Sequence, residues 1–234
     1  RVQDYQPPLQ SSLSADIAYV GNDGNLWTMA ADGSGQQPLT QGGGYSEPEW
    51  SPDGSQIAAV LTKAGNSDIV IIHVQAQTET RLTNDSNTNL SPTWSPDGAK
   101  IAFLSGTFTD DGYLPLGRAP YTSVRVMVVN STESNQSPTQ ISRSDIIEPQ
   151  GACCLAWSSS GDVLAFGGVH GSAGVRLVWL LNASSGVISA LYNGATGWPT
   201  WSSDGQQLTY VSVFDPIVCV GGQCNEGTDR PDIY

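Results

Sequence analysis

The chain has 234 residues, of which 38% are hydrophobic, enough to bury the core of one large β domain or two small ones. Its 9 Lys and Arg stand against 22 Asp and Glu, a formal charge of -13, so it offers no basic surface to neutralise phosphates and is not expected to bind nucleic acid or anionic membranes. Charged residues make up only 13%, while 26 Gly and 14 Pro punctuate the chain, which favours many short strands over long helices.

Residues 1–14 contain Pro7-Pro8 among polar residues and show no repeat character, so they read as an extended arm or linker ahead of a domain over 15–234. The chain opens at Arg1 without Met or a signal-type apolar region, as a processed or excised chain would. The first strand-like run is Ile17-Ala-Tyr-Val20, followed by Asn25-Leu-Trp-Thr-Met29 and Pro38-Leu-Thr40. Trp50-Ser-Pro-Asp-Gly54 comes next, and related phrases start at Trp94, Trp157 and Trp201, spaced 44, 63 and 44 residues apart. Self-similarity at this period signals solenoids, propellers or arrays, the middle value holding an insertion.

Each phrase precedes a short apolar run: Ile57 to Val60, Ile101 to Leu104, Val163 to Phe166 and Leu208 to Val211. Pro presets φ at the first central turn position, Asp tolerates the next, and Gly accepts positive φ, so Ser-Pro-Asp-Gly reverses one strand into another. Ser158-Ser-Ser160 in the third copy predicts a looser turn there. Second and third apolar runs follow in each unit, such as Asp68 to His73 and then Arg81 to Thr83. About four antiparallel strands per unit read as propeller blades. The longest apolar stretches, such as Val175 to Leu181 around Arg176, fall well short of the ~20 residues that span a bilayer, so no transmembrane segment is expected.

The combination of Ile17 to Gly35 with Pro38-Leu-Thr40 and Pro48-Glu-Trp-Ser-Pro-Asp-Gly54 resembles the TolB-type β-propeller repeat, a WD-repeat-like family, over roughly residues 15 to 234. The resemblance implies an all-β propeller of four-stranded antiparallel blades. About five are represented here, with Asp232 to Tyr234 starting the third strand of the last, and the remainder suggests a piece of a larger propeller. Propellers host many unrelated activities, so the fold alone leaves function open.

Two long insertions, Ser105 to Ser123 and Ser212 to Arg230, both connect the second and third strands of a unit and therefore project from one end. Long loops in a compact domain tend to carry function. Phe108, Tyr113, Leu114, Leu116 and Tyr121 in the first, with Phe214 and Ile217 in the second, form a candidate partner-binding surface, the alternative being hairpins that pack back on their own blades. The same end gathers acids, among them Asp23, Asp85, Asp110, Asp111, Asp215 and Asp229, and would suit a basic protein partner.

Four cysteines fall at that end, and a disulfide between Cys219 and Cys224 across Gly221-Gly222 is the first choice. A cross-blade bridge to Cys153 or Cys154 is the alternative, and a four-cysteine zinc site is a rival that the adjacent Cys153-Cys154 pair fits poorly. Disulfides imply an oxidising compartment, in agreement with the extracytoplasmic setting implied by the resemblance. No metal or cofactor is called for, since no run spaces acidic oxygens as a calcium loop does.

Catalytic sets are scarce. His73 lies in an apolar run and reads as structural, His170 sits among glycines, and no Gly-x-Ser-x-Gly elbow occurs. Glu47 and Glu49 alternate along an inner strand and are the candidates for paired-carboxylate chemistry, without an identifiable partner acid. The expectation is a non-catalytic extracytoplasmic scaffold, periplasmic or extracellular, for protein binding or for a larger assembly. The competing expectation is the propeller portion of a peptidase or glycosidase.

Overall fold

The computed structural model describes residues 17–108, 121–131, 138–141, 150–170, 175–191, 195–213, 218–220, 223–225 and 231–233. They form strands and turns, and none of their segments is a helix long and apolar enough to cross a membrane. The first unit contains β1 (Ile17–Val20), β2 (Leu26–Met29) and β3 (Gln37–Pro38). The second contains β4 (Tyr45–Trp50), β5 (Gln56–Lys63), β6 (Asn66–His73) and β7 (Thr78–Arg81), and the third β8 (Thr88–Trp94), β9 (Lys100–Phe108), β10 (Tyr121–Asn130) and β11 (Thr139–Gln140). The fourth contains β12 (Gln150–Trp157), β13 (Val163–His170), β14 (Val175–Asn182) and β15 (Ile188–Leu191). The last contains β16 (Ala195–Trp201), β17 (Leu208–Val213) and β20 (Pro231–Ile233), with a hairpin of β18 (Val218–Val220) and β19 (Gln223–Asn225) between the latter two.

Every unit is an antiparallel meander, and among the described residues a single parallel pair, Ser67 with Thr88, joins the second to the third. The Trp phrases make the turns that their residues demand. The Gly54 amide donates to the Ser51 carbonyl at 2.9 Å, the Ser51 amide to Gln56 at 2.9 Å, and Gly54 takes φ 70°. Asp53 Oδ1 accepts from Ser51 Oγ and from the Ser55 amide, and Ser51 Oγ accepts from the Gln56 amide. Asp97 and Asp204 repeat the arrangement. The Ser158 turn keeps the same backbone closure at 2.9 and 2.8 Å, so it is no looser in its main chain; its side-chain bonds stretch to 3.2 and 3.4 Å because Ser160 replaces the carboxylate.

Period-two alternation on strands that are apolar on both faces serves two cores at once. Ile57, Ala59 and Leu61 of β5 join Leu26, Leu39 and Tyr45 between the first and second units, while Ala58 and Val60 join Ile69, Trp94, Ile101 and Phe103 between the second and third. Ala102 and Leu104 face the next gap, with Leu164, Phe166 and Trp179. The inner strands β4, β8, β12 and β16 lie side by side in that order. Glycine is required at Gly44, where φ is 87° and a Cβ would sit 2.5 Å from the Thr62 carbonyl.

Strands run further into the first insertion than its composition suggests. β9 and β10 stay paired out to Phe108 opposite Tyr121, because Ser105, Gly106 and Thr107 continue the ladder against Arg125, Val124 and Ser123. β20 pairs with β17, so the final residues do begin a third strand.

Candidate functional site

The inner strands share a device that composition does not announce. Three residues before each Trp stands a non-glycine residue with positive φ: Glu47 at 52°, Ser91 at 51°, Cys154 at 59° and Trp198 at 49°. Register shifts accompany all four, between Ser46 and Glu49, Leu90 and Thr93, Cys153 and Ala156, and Gly197 and Thr200. A bulge of this kind bends its strand and re-aims the side chains beyond it.

Beyond the bulges, the tryptophans link the units. Trp94 Nε1 donates to the Glu49 carbonyl at 3.2 Å, Trp157 Nε1 to Thr93 at 3.4 Å and Trp201 Nε1 to Ala156 at 3.1 Å. Each acceptor directly precedes the Trp of the unit before. At the turn end these strands surround a groove of about 370 Å³ lined by Glu49, Thr93, Trp94, Ala156, Trp157 and Trp201, among others.

Glu47 and Glu49 are both spent on the same seam. Glu47 Oε2 accepts from the Ser91 amide at 2.6 Å, and Glu49 Oε1 accepts from Thr93 Oγ1 at 3.0 Å and the Trp94 amide at 3.1 Å. The bulge between Ser46 and Glu49 breaks the simple alternation expected for them, yet both carboxylates reach β8. Burial pushes the Glu49 carboxyl above its ordinary value, partly offset by those two bonds. The only signal for this role in the sequence is the period itself: Thr93 lies 44 residues after Glu49, in the neighbouring copy.

His73 lies on the strand surface, Nδ1 beside Gln56 Nε2 at 3.0 Å and Nε2 beside Thr80 Oγ1 at 3.1 Å, a cross-strand role. His170 closes β13 opposite Val175. In the second unit, Asp68 is 2% exposed and is held by Arg81 and by Thr83 Oγ1, whose oxygen also accepts from the Ile69 amide. No group of three or more His, Cys, Asp or Glu among the described residues is placed to hold a metal ion.

Of the residues expected at the insertion end, Phe108 and Tyr121 are backbone register partners at the end of the β9–β10 ladder. Tyr113, Leu114, Leu116, Phe214 and Ile217 lie outside the described residues. Cys219 and Cys224 are direct register partners across β18 and β19. Cys153 of β12 pairs with Gly167 of β13, and Cys154 is half-buried in its bulge. The insertions lie between β9 and β10 and between β17 and β20, equivalent strand pairs of two units, and leave from the same end of each meander.

Residues 8–110 match the family model of the TolB beta propeller domain. No curated protein matches the chain in sequence. Among solved structures, TolB from Acinetobacter baumannii is similar at 20% identity and a TM-score of 0.63, over 83% of this chain and 45% of that one. A protein assigned as TolB from Agrobacterium tumefaciens is similar at 22% identity and a TM-score of 0.64, over 85% of this chain and 69% of that one. The tricorn protease is similar at 14% identity and a TM-score of 0.62, over 92% of this chain and 20% of its own. The chain thus spans less than half of the Acinetobacter protein. At these identities the likeness gives the fold alone: the described residues are all-β and match β-propeller structures, and residues 8–110 match the TolB propeller model.

Proposed function

We propose that this TolB-type propeller is a non-catalytic, extracytoplasmic scaffold that binds a protein partner through the end bearing the 109–120 and 214–230 connections. Its five blade units form part of a larger propeller, a reading supported by the share of the Acinetobacter protein that the chain spans. One observation carries the non-catalytic assignment: both inner-strand carboxylates that suit hydrolysis, Glu47 and Glu49, are engaged with the backbone of the next unit. A general acid must be free to exchange its proton with substrate, and these hold blades together.

Binding at the insertion end is supported by topology. The β9–β10 ladder extends nine and ten residues, longer than the eight of β5 and β6, and the β18–β19 hairpin departs from its sheet on the equivalent connection. Aromatic burial on such a rigid base would supply affinity, and the formal charge of -13 would favour a basic partner. The register of Cys219 and Cys224 suits a disulfide that stiffens the second hairpin in an oxidising compartment.

The test exploits the pairing of Phe108 with Tyr121. Residues 109–120 are replaced by an Asn-Gly turn, which such a ladder accepts. The variant should unfold at the same denaturant midpoint and lose crosslinked partner from a cell-envelope extract of the source organism. Undiminished capture would remove this surface from consideration. Turnover of glycosides or peptides by the intact chain would overturn the non-catalytic assignment.

A further inference from the structure

The groove at the turn end takes one wall position from each of four successive units. The residue before each Trp lines it: Glu49, Thr93, Ala156 and Thr200. Trp94, Trp157 and Trp201 line it beside them, the first buried and the other two half-buried. Their Nε1 hydrogens are used on the seams between units, so the indoles bring ring surface to the groove and no donor. Among the described lining residues, Glu49 alone is ionisable.

That carboxylate is only half used. The bonds from Thr93 Oγ1 and the Trp94 amide both end on Oε1. Oε2 accepts none from the described residues, and it is not sealed from solvent. No Lys or Arg among the described residues pairs with Glu49, and hydrogen bonds alone offset its burial. A half-buried carboxylate without a cation keeps much of the cost of leaving water. An anion would meet this charge with no basic group to balance it, and a neutral alcohol or sugar would leave it uncompensated. Aromatic walls favour a cation as well, because the negative face of an indole attracts one. The surroundings have the same sign: Asp53, Asp97 and Asp204 stand on the turns of this end, and Lys100 lines the adjoining cavity together with Asp97 and Asp162.

We propose that this groove binds an alkylammonium group, with its charge on Glu49 Oε2 and its alkyl stem along the Trp157 and Trp201 rings. A volume of about 370 Å³ admits a lysine side chain or a free amine of similar length, which present the same chemistry. Ser159 and Thr200, both exposed at the groove, offer hydroxyl oxygens to the remaining N–H donors. The site lies at the end opposite the 109–120 and 214–230 connections, so it is separate from the partner surface proposed above.

The full chain, labelled with ¹⁵N, is titrated at constant ionic strength with n-butylammonium chloride and, separately, with n-butanol, which has the same stem without the charge. Butylammonium should move the Trp157 and Trp201 indole signals saturably while the core Trp179 signal stays in place, and butanol should bind at least about tenfold more weakly. Equal binding of the two, or no saturable shift, overturns the proposal. Glu49→Gln retains an oxygen for Thr93 Oγ1 and the Trp94 amide but has no charge, and should weaken butylammonium binding by about tenfold or more. Unchanged affinity in the folded variant defeats the assignment. If the variant does not fold, the comparison of butylammonium with butanol on the parent chain decides alone. A Gly-Lys-Gly peptide blocked at both ends then separates the sources: tighter binding than butylammonium assigns the group to a lysine side chain, weaker binding to a free amine, and either result upholds the site.

Discussion

Trp94 is 5% exposed and does two things at once: its ring fills the core between the second and third units while its N–H satisfies a carbonyl of the second. Trp94→Ala loses the buried ring and leaves both a cavity and an unpaired carbonyl, and should cost ~3 to 5 kcal/mol in urea unfolding. A loss below about 1 kcal/mol would contradict its role between blades. Glu49, on the same seam, acts in the opposite electrostatic sense. Its carboxyl is raised by burial, so the folded state holds that proton more tightly than the unfolded chain. Its contribution is therefore fully present below the unfolded value and is lost as pH rises through the folded one. Glu49→Gln keeps an oxygen for Thr93 Oγ1 and the Trp94 amide without the buried charge. The variant should gain stability relative to the parent as pH rises from about 4 to 8, read from paired denaturant midpoints. A constant difference across that range would show that Glu49 ionises in the fold as easily as in the unfolded chain.

The turns carry the reverse dependence. Serine hydroxyls and following amides hold Asp53, Asp97 and Asp204 below the ordinary carboxylate range. A depressed folded value gives support that is present above the unfolded value of 3.8 and lost as pH falls through the folded one. The third turn, with Ser160 in that place, has no such carboxylate. In acid, amide-exchange protection should therefore fall at Ser55, Ala99 and Gln206, and stay level at Asp162, once intrinsic rates are divided out. Equal losses at all four amides would mean that the turns are held by their backbone bonds alone. These turns, the strands beside them and the unit spacing were readable from Trp50-Ser-Pro-Asp-Gly54 and its copies, since Pro, Asp and Gly each have a local conformational reason to stand where they do. The bulges were not readable, because Glu47, Ser91, Cys154 and Trp198 share no chemistry that favours positive φ. The cross-blade use of Glu47 and Glu49 was hidden for a related reason: alternation along one strand says which face a residue takes, while its partner lies a full repeat away.

Across the whole molecule, stability should follow how many faces of each unit are covered. In a stack where a unit touches only its neighbours, stability is near to a sum of unit and interface contributions, and ends open first. The second and third units are packed on both sides: Ile57 to Val60, Ile69 to Ile71 and Ile101 to Phe103 are 0% exposed. The first unit presents β1 half-buried to exposed, and in the last Leu208, Tyr210 and Val211 are half-buried and Thr209 is exposed. Native-state hydrogen exchange should accordingly give the highest opening free energies in β5, β6 and β9, approaching that of global unfolding, and lower values in β2 and β17. The gradient should persist at low denaturant and vanish only when global unfolding dominates exchange. Uniform protection from β2 to β17 would instead mean that the first and last units open only with the rest, as a ring closed by further contacts would require, and the nearest-neighbour account of its stability would then fail.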